Sequence, residues 1–350
     1  MKNRKMKKIC RIISVGMLLL LTGCGKSSRE NIDAGMEKIA AMEYGPALEC
    51  FQSAQAKGEN ERLAYRGMGL AYMGLTQYAE AAEAFEKALS GGDILIDSMD
   101  YDINYYLATA YYKNKEGEKA VAVYDAILDL DSAQKTAYYL RGTVKLEMGR
   151  YEEAIADFDQ AVRLNPKDYA QIIDIYQVLE QNGYKQVGKE YIETAMADGE
   201  KSMSDSEKGQ MSYYLEDYTS ASTYLERARE NGKEETILYL GKTYEALGEY
   251  NYAANVYSTY LGEHTDSEQM YNQLGMCRMR MGSYAEALTA FQAGINVKDN
   301  TLMQTLQFNE IIAYEYLGEY KKAAVLMENY LKSYPDEEAA KRENIFLQTR

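Results

Sequence analysis

The sequence predicts an all-α protein, a solenoid in which pairs of helices stack along the chain. Two observations support this prediction. Only three of 350 residues are proline (Pro46, Pro166 and Pro335), while alanine, glutamate, leucine, lysine and methionine are abundant, a composition that favours helix almost throughout. A pattern of small and aromatic residues also recurs about every 34 residues, a period typical of helical hairpins that bury their apolar faces against one another.

The first segment of the chain, residues 1–23, has the features of an export signal. Six basic residues lie between positions 2 and 11, and the ten-residue, mostly apolar stretch from Ile12 to Leu21 follows. Such a stretch is too short to cross a bilayer as a permanent helix, but it suits a cleaved signal peptide. We therefore expect the rest of the chain to be exported.

The next feature, Leu21-Thr22-Gly23-Cys24, resembles the lipobox of bacterial lipoproteins. In that family the cysteine thiol receives a diacylglyceryl group, and cleavage leaves the cysteine as the first mature residue. The resemblance implies lipidation of Cys24 and a polar tether over residues 24–29. The alternative is an ordinary cleaved signal in which a cysteine is present by chance. Two or three acyl chains would hold the protein firmly on a membrane, whereas one chain binds only marginally.

The repeated pattern is clearest between residues 138 and 166. Gly142 lies on the first helix of the pair, and Ala154 and Phe158 lie on the second, after a turn that contains Gly149 and Tyr151. Small residues let the two helices approach closely, and the ring fills the groove towards the next pair. The turn glycine ends the first helix because it tolerates positive φ.

Aligning the chain on the turn tyrosine or its equivalent gives nine repeats with intervals of 32 to 39 residues. The fifth and sixth repeats depart from the pattern, because Tyr176 occupies the position of the small residue and a polar joint covers residues 198–205. Two interpretations remain open, a bend between two stacks or drift of the repeat. The predicted repeat starts are Ser28, Arg62, Tyr101, Lys135, Tyr169, Ser202, Glu234, Glu268 and Gln304.

At these positions the sequence is similar to the tetratricopeptide repeat, a 34-residue helix-turn-helix unit. The resemblance implies an all-α solenoid, a right-handed superhelix of about nine repeats over residues 30–336. The last repeat would leave an apolar end open to water. Residues 337–350, which include Ala340 and Leu347, therefore predict a capping helix at the carboxyl terminus.

Charge excludes several kinds of partner. The whole chain has a net charge of −15, and removal of the six basic residues of segment 1–23 leaves 33 basic against 54 acidic residues, a net charge of −21. Such a surface repels phosphate backbones and anionic lipid head groups. We therefore expect no nucleic acid partner, and membrane attachment must come from the lipid anchor.

Catalytic, metal-binding and cofactor-binding patterns are missing from the sequence. The single histidine, His264, has no nucleophile or second histidine at motif spacing. Cys50 and Cys277 lie within helical patterns, where buried thiols are the plainer interpretation and a disulfide is the alternative. We predict no catalytic residue, no metal ligand and no cofactor, so the protein is expected not to be an enzyme.

The candidate binding residues follow from the resemblance. In tetratricopeptide folds the inner, concave wall is built from the first helix of each repeat. Tyrosine, methionine and arginine on this wall are the side chains that interfaces favour. The predicted partner-binding residues are Arg66, Tyr105, Tyr112, Tyr139, Tyr213, Tyr214, Met276, Met279, Arg280, Phe308 and Tyr316, and the inner wall also includes Lys242, Asn272 and Ile312.

These features predict a lipoprotein anchored on the extracytoplasmic side of the cell membrane. Its solenoid would bind proteins or peptides through the inner wall, in envelope assembly or secretion. The alternative is a cell-wall or glycan-binding lipoprotein in which inner-wall tyrosines stack on sugar rings. The lysine and asparagine clamp by which some family members hold a C-terminal carboxylate is not reproduced, because Arg66 is followed by Leu70 where asparagine is needed.

Overall fold

A computed structural model describes residues 29–91, 96–199, 201–298 and 300–350 of the protein. The predicted signal peptide (residues 1–23) and the predicted lipidation site at Cys24 lie outside the described residues. Within the described ranges the regular structure is helical and contains no strand. The helices, in chain order, are α1 (Glu30–Ala40), α2 (Tyr44–Ala56), α3 (Glu61–Gly74), α4 (Tyr78–Ser90), α5 (Ser98–Lys113), α6 (Gly117–Leu130), α7 (Lys135–Glu147), α8 (Tyr151–Leu164), α9 (Tyr169–Gln181), α10 (Lys185–Gly199), α11 (Asp205–Tyr214), α12 (Tyr218–Ala228), α13 (Glu234–Ala246), α14 (Tyr250–Leu261), α15 (Glu268–Arg280), α16 (Tyr284–Ile295), α17 (Met303–Tyr316), α18 (Tyr320–Ser333) and α19 (Glu338–Leu347).

The helices form nine consecutive antiparallel hairpins followed by α19, which confirms the predicted all-α fold class of helix-turn-helix repeats. Lys135, Tyr169, Glu234 and Glu268 each begin a helix, as predicted, and the other five repeats begin within three residues of their predicted starts. The chain divides into a first compact unit that ends at Asn165 and a second compact unit that begins at Pro166. Helices α1–α8 belong to the first compact unit and α9–α19 to the second.

In the first compact unit, the core is built by rings that rest on glycines. A Cβ atom placed on Gly69 would lie 2.4 Å from the ring of Phe85, which is fully buried. The same ring stacks on that of Tyr106 in the following hairpin, with centroids 5.7 Å apart. The absence of a side chain at Gly69 therefore lets one ring join two hairpins, as the repeat pattern predicts.

The second compact unit repeats this arrangement at Gly241 with Tyr257 and at Gly275 with Phe291. Its first hairpin exchanges the two partners. Tyr176, on the first helix, is buried, and Gly188, on the second helix, provides the space, because its Cβ would lie 3.0 Å from the tyrosine ring. The hairpin thus keeps the small-residue-to-ring contact although its sequence departs from the pattern.

The turn between the two helices of a hairpin requires a left-handed residue. Gly149, Gly248, Gly282 and Gly318 have φ between 75° and 79°, which confirms the predicted role of the turn glycines. Gly183 takes the same conformation in the fifth hairpin, at φ 87°, whereas the equivalent residues of the four remaining hairpins are not glycine. Non-glycine residues with positive φ are Met42, Thr76, Lys115 and Glu216.

Helix α19 packs on the last hairpin of the second compact unit. Ala340 and Leu347 are buried in a cluster with Met327 and Tyr330 of α18, whereas Ile345 is 66% exposed. Helix α19 therefore covers the apolar surface of α18 with some of its apolar side chains, whereas others remain exposed to solvent. Among the described residues, no helix combines the length and the apolar character that a bilayer crossing requires.

Candidate functional site

In the first compact unit, the predicted inner-wall residues connect the first helices of neighbouring hairpins. Nε of Arg66 on α3 donates a 2.6 Å hydrogen bond to Oδ2 of Asp102 on α5. The hydroxyl of Tyr112 on α5 donates to Glu147 at the end of α7. Burial, reinforced by this carboxylate, raises the pKa of Tyr112. Both side chains keep part of their surface exposed.

Two further tyrosines of the predicted wall lie in the same unit. The hydroxyl of Tyr105 donates to Oε1 of Gln134 at 3.3 Å, and burial raises the pKa of Tyr105. Tyr139 packs on the buried ring of Phe158, with centroids 6.3 Å apart. Tyr105 therefore links the third hairpin to the start of the fourth, and Tyr139 packs between the two helices of the fourth. Both side chains remain partly exposed.

In the second compact unit, Tyr213 and Tyr214 at the end of α11 belong to a cluster of aromatic rings. The ring of Tyr213 lies 5.5 Å from that of Tyr239 on α13, and the ring of Tyr214 lies 5.0 Å from that of Tyr176 on α9. The hydroxyls of Tyr214 and Tyr239 share a 2.6 Å hydrogen bond. The cluster joins the first helices of three successive hairpins.

Beside this cluster lies a group of charged side chains. Glu245 on α13 is buried, and burial raises the pKa of its carboxyl group. Oε1 accepts a 2.7 Å hydrogen bond from Tyr257, and Oε2 accepts a 2.8 Å bond from Nη1 of Arg280 on α15. Lys242, one turn before Glu245, acts on the same carboxylate electrostatically. Two cations therefore share one buried anion.

Arg280 also lines a cleft of about 380 Å³, which we call the Tyr316 cleft. Four of the predicted binding residues meet here, although they come from two helices that start 35 residues apart in the chain. The side chain of Tyr316 is 61% exposed at the rim, and its ring lies 4.9 Å from that of Tyr284. The residues that line the Tyr316 cleft are Met276, Met279, Arg280, Tyr284, Phe291, Asn309, Ile312 and Tyr316.

The Tyr316 cleft includes residues that the sequence did not single out for binding. Tyr284 follows the turn glycine Gly282 and starts α16, and its ring forms one side of the cleft. Asn309 also lines the cleft, and its Nδ2 donates a 2.9 Å hydrogen bond to Oδ1 of Asn272 on α15. Asn309 lies on α17 one turn before Ile312, so helical spacing from this inner-wall residue indicates its position.

Phe308, another predicted binding residue, lies in a different place. Its ring packs 5.7 Å from that of Tyr330 on α18, in the partly buried margin of the cluster that also contains Ile311. Phe308 is not among the side chains that line the Tyr316 cleft.

The described ranges contain one histidine and two cysteines, the residue types with the most reactive side chains. His264 is exposed and its ring stacks on that of Tyr260, with centroids 4.3 Å apart. Cys50 and Cys277 are free thiols, so the structure contains no disulfide between them. Burial raises the pKa of Cys277 to about 11. Where the structure describes the chain, no three side chains of His, Cys, Asp or Glu are grouped so that they could hold a metal ion.

Family models described as tetratricopeptide repeat match residues 66–135, 136–168, 268–301 and 307–337. The chain is 33% identical over 149 residues to the photosystem I assembly protein Ycf3 of Synechococcus sp. strain CC9311, a match that covers 39% of this chain and 82% of that protein.

Two longer matches cover more of this chain. The Hsp70-Hsp90 organizing protein of Triticum aestivum is 25% identical over 243 residues, which is 65% of this chain and 40% of that protein, so the chain spans less than half of that relative. A solved structure of a tetratricopeptide repeat protein from Parabacteroides merdae has 13% identity and a TM-score of 0.48, and it covers 82% of this chain and 99% of its own.

Proposed function

Because the chain belongs to the tetratricopeptide-repeat family, whose members act as protein-interaction scaffolds, we propose that it is a membrane-tethered scaffold that binds a protein through the Tyr316 cleft. The observation that supports this proposal is the meeting of Met276, Met279, Arg280 and Tyr316 around one partly apolar cleft. The relatives support the class of function, since one is named for assembly of photosystem I and another for organizing Hsp70 and Hsp90.

The chemistry of the Tyr316 cleft suits a polypeptide. Met276 and Met279 are unbranched and adapt to partners of different shape. Tyr316 and Tyr284 offer large rigid rings with a polar tip, and they lose little conformational entropy on binding. Arg280 and Asn309 add hydrogen-bond donors at the margin. This combination of an apolar centre and a polar margin is typical of protein interfaces.

The membrane tether is part of the proposal and rests on the sequence. The basic start, the short apolar stretch and Leu21-Thr22-Gly23-Cys24 indicate export and lipidation at Cys24. Such an anchor would keep the scaffold on the extracytoplasmic side of the cell membrane and raise the local concentration of any partner there. Envelope assembly or secretion is the corresponding cellular role.

Site-specific photo-crosslinking in living cells tests the proposal. Position 316 is replaced by a photoreactive phenylalanine analogue in one strain and position 252 in another. Tyr252 is the matched control, because it is 63% exposed on α14 and does not line the Tyr316 cleft. We expect a defined protein adduct from position 316, identified by mass spectrometry, and none of that mass from position 252.

Two outcomes would contradict the scaffold. Equal adducts from both positions, or none from position 316, would show that the Tyr316 cleft does not bind a protein. Retention of the purified chain on isolated cell wall, with loss of retention in Tyr316→Ala, would support the glycan-binding alternative instead.

A further inference from the structure

We propose that the partner segment carries one carboxylate beside a bulky apolar residue, with the carboxylate on Lys242 and Arg280 and the apolar side chain in the Tyr316 cleft. This inference rests on the proposed function and specifies the chemistry of the ligand. It follows from the charges around Glu245, the exposure of Arg280 and the lining of the Tyr316 cleft.

Lys242 provides the first of the two cations. Throughout the described part of the chain, no carboxylate lies within salt-bridge distance of its ammonium group, which instead sits 5.3 Å from the ring centroid of Tyr239. The side chain is partly buried, and this burial lowers the pKa of Lys242. Folding has therefore already removed much of the water around this ammonium group. An incoming anion would interact more strongly with it than with the ammonium group of a fully hydrated lysine.

The nearby carboxylate of Glu245 cannot satisfy both cations. Each of its oxygens already accepts a short hydrogen bond, one from Tyr257 and one from Arg280. Glu245 attracts Lys242 only over a longer distance. Lys242, Arg280 and Glu245 together leave one positive charge at this place on a chain whose net charge is −15.

Arg280 extends this positive charge to the Tyr316 cleft. Its side chain is 51% exposed, and only Nη1 takes part in a hydrogen bond to the protein within the described ranges. The remaining N–H groups of the guanidinium can donate to a carboxylate in the planar geometry that arginine favours. Because Arg280 also lines the Tyr316 cleft, an apolar residue next to that carboxylate would contact Met279 and Ile312.

The acidic remainder of the chain limits the ligand to a small charge. At physiological ionic strength, charges are screened beyond about 8 Å, so a single carboxylate interacts mainly with Lys242 and Arg280. A polyanion would extend past these cations and meet the negative surface. We therefore expect a segment with one acidic residue in an otherwise neutral or apolar sequence.

The test uses a phage library of random heptapeptides selected on the purified full-length protein in detergent. We expect enrichment of peptides with Asp or Glu next to Leu, Ile, Met or Phe. An enriched peptide is then labelled with fluorescein, and its Kd is measured by fluorescence anisotropy. Lys242→Gln and Arg280→Gln should each weaken binding by about tenfold, which corresponds to about 1.4 kcal/mol, while Lys321→Gln, at an exposed lysine away from the Tyr316 cleft, should leave Kd unchanged.

A change in the peptide makes the result independent of how the protein variants fold. Replacing its Asp or Glu by the amide should weaken binding to the wild-type protein about tenfold as well, and added salt should weaken only the charged peptide. Enrichment of neutral or basic peptides, or no enrichment, would overturn the inference. If Tyr316→Ala abolishes binding while Lys242→Gln, Arg280→Gln and the amide peptide do not weaken it, the Tyr316 cleft binds peptides without a carboxylate, and only the proposed function stands.

Discussion

Individual residues determine how each hairpin turns. The left-handed position between the two helices has a glycine in the fourth, fifth, seventh, eighth and ninth hairpins, where a residue without Cβ adopts positive φ at no steric cost. In four other hairpins a larger residue takes the same conformation, for example Lys115 at φ 65°. These residues adopt an unfavourable backbone conformation because the packing of the flanking helices outweighs its cost.

We predict that Lys115→Gly stabilises the protein. The left-handed conformation costs an L-residue about 1–2 kcal/mol, and replacement by glycine removes this cost. Part of the resulting stabilisation is offset because glycine also makes the unfolded chain more flexible. The free energy of unfolding, measured with urea and far-UV circular dichroism, should rise by about 0.5–1 kcal/mol. Lys115→Ala is the matched control, since it shortens the side chain but keeps Cβ, and it should change stability little. Equal stabilisation by both variants would contradict this explanation.

At the scale of elements, the contacts between helices depend on small residues under rings. Gly275 has no space for a Cβ beside Phe291, and similar contacts occur in both compact units. The last element, α19, carries Glu343, whose carboxyl group acts on that of Glu315 on α17. Oε1 of Glu315 is buried and has no hydrogen-bond partner. Such a pair is stable only while it holds a proton.

We predict that the packing of α19 weakens as pH rises. Burial, together with Glu343, raises the pKa of Glu315 from its ordinary 4.5 to about 8. In this pH interval the folded protein holds a proton that the unfolded chain releases, so stability falls from about pH 4.5 up to about pH 8 and then levels off. Glu315→Gln imitates the protonated group. Its melting temperature should match wild type near pH 5 and exceed it by several degrees at pH 9.

The control for this prediction is Glu328→Gln, which removes an exposed carboxylate from α18. Its melting temperature should follow that of wild type across the same pH range. A Glu315→Gln variant that is no more stable than wild type at pH 9 would show that the carboxyl pair does not hold α19.

At the scale of the whole molecule, charge and anchoring act together. A net charge of −15 repels phosphate groups and anionic lipid head groups. The described helices include none suited to crossing a bilayer. The proposed location on a membrane therefore depends on the lipid that we expect at Cys24.

We predict that Cys24→Ser releases the protein from membranes. Wild type expressed in a bacterium should partition into the detergent phase of a Triton X-114 extract, and its amino-terminal peptide should have the mass of an acylated cysteine. The serine variant cannot accept the diacylglyceryl group and should remain in the aqueous phase. An unmodified peptide that extends upstream of Cys24 in wild type would contradict the proposed anchor.

Much of the fold could be predicted from the sequence because its signals are local. Each hairpin contains its own signals, which are the small residue before the turn, the turn glycine and the ring after the turn. The predicted repeat starts therefore agree with the structure to within three residues. The fifth hairpin is different. Its sequence departs from the repeat pattern at Tyr176, which left a bend and repeat drift as alternatives, and only the structure shows that the ring and the small residue have exchanged helices, with Gly188 on the opposite helix.

By itself, the sequence determined that this protein is a series of helical hairpins and where each one turns. Which helix faces bind a partner stays a prediction from the family resemblance. Only the tertiary structure decided that Met276, Met279, Arg280 and Tyr316 meet in one cleft, that Tyr284 and Asn309 complete it, and that Phe308 packs elsewhere. The physical reason is distance along the chain. Helical periodicity places a side chain on a face of its own helix, whereas its neighbours on helices that begin 16 to 35 residues away depend on how the hairpins pack.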